Sequence, residues 1–163
     1  MGQDMTSSFP SRLRVALAFV TAPSMAALLM AIAMPAYDGM ESNLERIWLT
    51  AKIYALVGAY PTALLLGIPA YFLLRKRLKP TWVNCALVGG AVAALPWLLL
   101  TALPTADHSS VGGRATIIDG HTTSYGWLVN LQSVGTIAVF GAIAGGVFWL
   151  TTMGGRGSNP RDL

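Results

Sequence analysis

Four long apolar runs, at about positions 15–34, 47–74, 82–103 and 127–152, alternate with short polar segments along the chain. None carries the polar stripe, recurring every three to four residues, of a helix half-exposed to water. At about 1.5 Å of rise per residue, each run matches or exceeds the ~30 Å hydrocarbon core of a bilayer. The pattern predicts an all-α integral membrane protein, a single domain over 1–163 with four transmembrane helices in an antiparallel up-down bundle. The first run has a rival reading as a cleaved signal peptide, with Arg12 and Arg14 before it and Ala31-Ile32-Ala33 as a cleavage site. Its length exceeds the usual apolar core of such peptides, about 7–15 residues.

Helix boundaries follow from the polar breaks. A turn over 38–43 ends in Ser42-Asn43-Leu44-Glu45, the pattern of a capping box. The second helix then continues to Leu74, too long for a perpendicular span, so its first two turns are expected above the bilayer with Trp48 at headgroup depth. The tight loop over 75–80 makes the second and third helices antiparallel neighbours. Between the third and fourth lies the largest polar segment, 104–126. In it, Arg114-Ala-Thr-Ile-Ile118, Asp119-Gly120 and His121-Thr-Thr-Ser-Tyr125 predict a β-hairpin over 114–125, because Asp-Gly accepts the positive φ angles of a type I′ turn. The tails 1–11 and 154–163 are polar and rich in small residues.

Charge gives the orientation. Of the 11 Lys and Arg residues, Arg12, Arg14, Arg75, Lys76, Arg77, Lys79, Arg156 and Arg161 fall on one side of the predicted bundle. Short loops rich in Lys and Arg stay cytoplasmic, so these act as topology anchors and both termini are expected in the cytoplasm. With Asp4 and Asp162 that side carries +6; the other, with Arg46, Lys52, Arg114 and five acids, carries −2. The asymmetry accounts for the net charge of +4 without a nucleic-acid partner. Trp48, Trp82, Trp127 and Trp149 fall near the predicted interfaces on both sides. The expected location is a bacterial inner membrane. Short loops with many Ala, Leu, Gly and Pro resemble small inner-membrane proteins of proteobacteria, a compositional likeness that implies no activity.

Chemistry is sparse. Cys85 is the single cysteine, so no CxxC pair, intramolecular disulfide or thiolate zinc site can form, which excludes a quinone-linked thiol oxidase on four helices. The predicted spans contain no Asp, Glu, His or Arg, and Lys52 lies at a boundary. Exporters relying on a membrane-embedded glutamate, intramembrane proteases and the paired aspartates of a lipoprotein signal peptidase therefore have no counterpart. A solvated loop is the favoured reading of Asp107, His108, Asp119 and His121; the alternatives are mixed N/O donors for Zn²⁺ or Cu²⁺ if the segment folds back, or a histidine pair sensing pH. No cofactor is implied. Asn130 and Ser133 share a helix face and are expected to bond across helices, as is Asn84. The basic loop over 75–79 could also attract anionic headgroups.

Helices in lipid associate at small residues. These recur every four positions as Ala18, Ala22, Ala26; Ala59, Ala63, Gly67; Ala86, Gly90, Ala94; and the GxxxG pair Gly141 and Gly145. Packing within one bundle is the expected role, with homodimerisation through the fourth helix as the alternative. Pro23, Pro61, Pro69 and Pro96 lie within spans and are expected to kink them. The combination points to a non-enzymatic accessory, assembly or immunity-type protein acting through helix packing and its outer loop. The alternative is an oligomeric transporter or channel subunit with proline-kinked helices. The partners implied are the lipid bilayer and a membrane protein or a second copy.

Overall fold

A computed structural model of the chain describes residues 11–36, 42–74, 77, 81–101, 103 and 107–154. Residues 1–10, 37–41, 104–106 and 155–163 and three anchors of the basic loop, Arg75, Lys76 and Lys79, lie outside the described residues. The fold is mostly helical, with four helices long and apolar enough to cross a membrane. They are α1 (Arg12–Ala33), α2 (Asn43–Leu74), α3 (Trp82–Thr101) and α4 (Ser124–Met153). A three-stranded antiparallel sheet, β1 (Ser109–Val111), β2 (Arg114–Ile118) and β3 (His121–Thr122), sits between α3 and α4 in sequence.

Capping decides where α1 and α4 begin. The Ser11 hydroxyl accepts the Arg14 amide at the start of α1, and the Thr123 hydroxyl accepts the Gly126 amide, 3.0 Å away, at the start of α4. Both helices therefore start about three residues before their apolar runs. The capping box expected at α2 does not form: Ser42 contributes only its carbonyl, to the Arg46 amide at 3.1 Å, and its hydroxyl makes no cap bond. That end of α2 is held by Arg46 and Thr50 instead, as described below.

The prolines act differently in different helices. Pro23 and Pro96 sit inside α-helical backbone. In α2 each proline follows a widened, π-helical stretch: Tyr54–Ala59 before Pro61 and Ala63–Gly67 before Pro69. There the Tyr60 amide reaches the Ala55 carbonyl and the Ile68 amide the Ala63 carbonyl, five residues back rather than four. A proline ring clashes with the carbonyl four residues before it, and a wider turn relieves that crowding without ending the helix.

Helix α1 lies between two neighbours, α2 and α4. Its buried residues form two rows, Ala18 with Ala22 and Pro23 with Ala27 and Ala31. At about 100° per residue these rows face roughly opposite sides, as a helix packed on two flanks requires. The second row replaces the single expected continuation through Ala26, which is only half-buried. At the other end of the same seam Phe19, Tyr71, Phe72 and Phe148 form an edge-to-face cluster, with centroids 5.2 Å apart for Phe19 and Phe148.

The tightest seam joins α3 to α4. Gly89 faces Gly141 and Gly145, Gly90 faces Ala138, and Gly145 faces Cys85 and Ala86, so contacts climb one helix as they descend the other. A methyl group placed on Gly90 would lie 3.0 Å from the Ala138 carbonyl oxygen, and one on Gly145 would strike the Cys85 carbonyl. The GxxxG pair of α4 is thus filled by the chain's own α3. The partner row on α3 is Cys85, Gly89 and Ala93, one position before the expected Ala86, Gly90 and Ala94, although Gly90 is itself buried and Ala94 half-buried.

Size sorting runs opposite to that of a water-soluble bundle. Among the described residues the buried apolar side chains are Ala18, Ala22, Ala27, Ala31, Ala51 and Val134, whereas many large ones point outward, Val57 at 75% and Leu65 at 74% exposure among them.

Candidate functional site

Polar side chains with defined geometry are found at the α1–α2 junction and where the sheet meets the start of α4. At the junction, Thr50 is fully buried; its hydroxyl donates to the Arg46 carbonyl at 2.7 Å and accepts the Ala36 amide at 3.2 Å. The Arg46 guanidinium donates from Nε to the Ala36 carbonyl at 2.9 Å and from Nη2 to the Pro35 carbonyl at 3.0 Å. A cation thus rests on the carbonyl-rich exit of α1, where the peptide dipoles point negative. Tyr54 adds a long hydroxyl contact to the Met34 carbonyl.

The sheet is fastened to α4 by one residue acting twice. The Thr123 hydroxyl caps α4 and also donates to the Ala115 carbonyl at 2.8 Å, while its amide bonds the Thr116 carbonyl at 2.9 Å. Gly126 lies so close under the Thr116 carbonyl that any side chain there would collide with backbone. Within the sheet, Asp119 (φ 48°) and Gly120 (φ 73°) form the expected positive-φ turn, with Ile118 facing His121 across it. A second turn was missed from sequence: Gly112 (φ 59°) and Gly113 (φ 75°) join β1 to β2 with Val111 opposite Arg114. The Gly-Gly pair was its signal.

The four metal candidates come together only in part. His108 Nε2 lies 3.5 Å from Asp119 Oδ1, both well exposed, and Asp107 reaches the turn through its backbone carbonyl, which accepts the Gly120 amide at 3.1 Å. His121 is an exposed member of β3. Among the described residues no group of three or more His, Cys, Asp and Glu side chains converges, so the fold-back leaves two side-chain donors rather than a coordination sphere. Arg114 stacks over Tyr125 with its guanidinium 5.5 Å from the ring centroid, tying β2 to the first turn of α4.

Deeper along the helices, the hydroxyl of Ser133 is engaged differently from the expectation. Ser133 donates to the Val129 carbonyl of its own helix at 3.0 Å. Hydroxyl contacts between helices come instead from Ser24 and Tyr60, 2.8 Å apart beside the Val20 carbonyl, and from Thr21 and Thr151, at 3.5 Å. Ser24 and Tyr60 each adjoin a proline, a position from which sequence alone does not reveal a partner. At the far end Arg14 donates to the Gly154 carbonyl at 3.3 Å, Arg77 is exposed, and Cys85 is a half-buried free thiol in the α3–α4 seam.

Comparison with protein-family models, with curated proteins and with solved structures gives no match.

Proposed function

We propose that this chain is a small multi-pass protein of a bacterial inner membrane, an up-down bundle with both termini cytoplasmic, that works without catalysis. It acts as an accessory, assembly or immunity-type subunit by engaging another membrane protein. The observation that carries the membrane reading is the size sorting of side chains. Each large apolar side chain left in water forfeits about 1.5–3 kcal/mol of burial, so dozens facing outward are incompatible with water as solvent. In hydrocarbon that force disappears, and helices join where small residues let backbones approach. Orientation is supported by Arg12, Arg14 and Arg77 at the end opposite the sheet, together with the remaining bases of the loop and tail. The non-enzymatic reading is supported by Arg46, Thr50 and Thr123, whose polar groups are bonded to backbone carbonyls and a helix cap.

The test is a mild-detergent pull-down of the tagged full chain after crosslinking in membranes. A stoichiometric membrane-protein partner is expected; recovery of the chain alone would overturn the reading. A second reading, an oligomeric transporter or channel subunit, draws on the two widened stretches beside Pro61 and Pro69. It requires solute flux that falls on Pro61→Ala, and reconstituted protein with no flux removes it.

A further inference from the structure

We propose that the exposed face of the first turns of α2 is a headgroup site for a zwitterionic phospholipid bearing a primary ammonium. The inference rests on the membrane reading above and adds to it the chemistry of one bound lipid. Glu45, Trp48 and Lys52 are all exposed. At i, i+3 and i+7 they fall within about 60° around the helix axis, on the side opposite buried Thr50. Lys52 Nζ stands 5.8 Å from the centroid of the Trp48 ring, so the ammonium is held at the level of the indole. Trp48 itself is 60% exposed, the amphipathic aromatic expected at headgroup depth.

The order of charges along the axis is what selects the lipid. On the proposed topology Glu45 is outermost and Lys52 lies about 10 Å deeper, with Trp48 between them. A phospholipid presents its phosphodiester below its amine, the same order with opposite signs. The Lys52 ammonium and the indole N–H donate to phosphate oxygens, and the lipid ammonium donates to the Glu45 carboxylate. Lys52 closes the gap by reaching up along its aliphatic stem toward the polar layer. A phosphatidylglycerol headgroup would satisfy Lys52 and leave Glu45 facing more negative charge. A trimethylammonium headgroup has no N–H to give Glu45. The primary ammonium alone fits both ends.

Native mass spectrometry of the full chain in mild detergent tests this, with phosphatidylethanolamine, phosphatidylcholine and phosphatidylglycerol of identical acyl chains added in turn. The ethanolamine lipid is expected to be retained about fivefold over the other two, the scale of one headgroup charge contact. Glu45→Gln should abolish that preference while leaving phospholipid binding, and Lys52→Gln should weaken retention of all three. Both side chains are exposed, and unchanged circular dichroism and thermal unfolding would confirm that the variants fold. Equal retention of the three lipids, a preference for phosphatidylglycerol, or a preference untouched by either substitution overturns the proposal. A chain that remains in the membrane fraction yet shows no headgroup preference sinks this inference alone. Recovery of the chain dispersed without detergent sinks the membrane reading as well.

Discussion

The α3–α4 seam and the α1–α2 seam solve the same problem by opposite means. Between α3 and α4, glycines bring backbone onto backbone: Gly89 on Gly141, Gly145 on Cys85, Gly90 on Ala138. Between α1 and α2, side chains reach across to carbonyls and hydroxyls: Arg46 and Thr50 to residues 35 and 36, Tyr60 to Ser24 and Val20. The first seam gains dispersion contacts over a continuous surface and tolerates no added atoms. The second relies on a few directional bonds, each separable from the rest. One seam should therefore fail to bulk and the other to loss of a polar group.

The largest expected effect is at the glycine seam. Gly145→Leu forces a branched side chain into the Cys85 backbone and should cost about 3 kcal/mol, read from unfolding in mixed detergent micelles. Gly135 is the internal control, because a Cβ there meets nothing within 4 Å. Next is Thr50→Val, which keeps the shape but orphans the Ala36 amide; about 1–3 kcal/mol should be lost. Gly135→Ala should move the other way, gaining about 0.5–1 kcal/mol from helix propensity alone. Equal losses at Gly145 and Gly135 would erase the contrast between a packed and an open glycine. The smallest effect is expected for Tyr60→Phe, about 0.6 kcal/mol, since polar bonds between helices in lipid are individually modest. A loss at Tyr60 exceeding that at Thr50 would move the weight of the second seam from its end to its middle.

Legibility in the sequence followed the range of the physics. Apolar runs gave all four helices, because length and hydropathy are summed over many residues. The Asp119-Gly120 turn was readable because its backbone requirement is local, and Gly112-Gly113 carried the same signal unread. Caps were harder: Ser42 had the right neighbours for a capping box, yet Arg46 and Thr50 tie the chain to the exit of α1 there, a tertiary contact that overrode the local motif. Small-residue rows pointed to packing within one bundle but not to which helices pair or in what phase, since Cys85-Gly89-Ala93 and Ala86-Gly90-Ala94 are adjacent rows of similar size. Spacing of His108, His121, Asp107 and Asp119 said nothing about convergence, which depends on strand register. The Ser24–Tyr60 contact joins residues 36 apart, beyond any local pattern.

On the proposed reading these helices are solvated by hydrocarbon, with small residues inside and large ones outside. Alkaline carbonate extraction of membranes from cells making the full chain tests it most directly. The account predicts that the chain stays with the membrane pellet and leaves it only in detergent; release into the aqueous wash would contradict it.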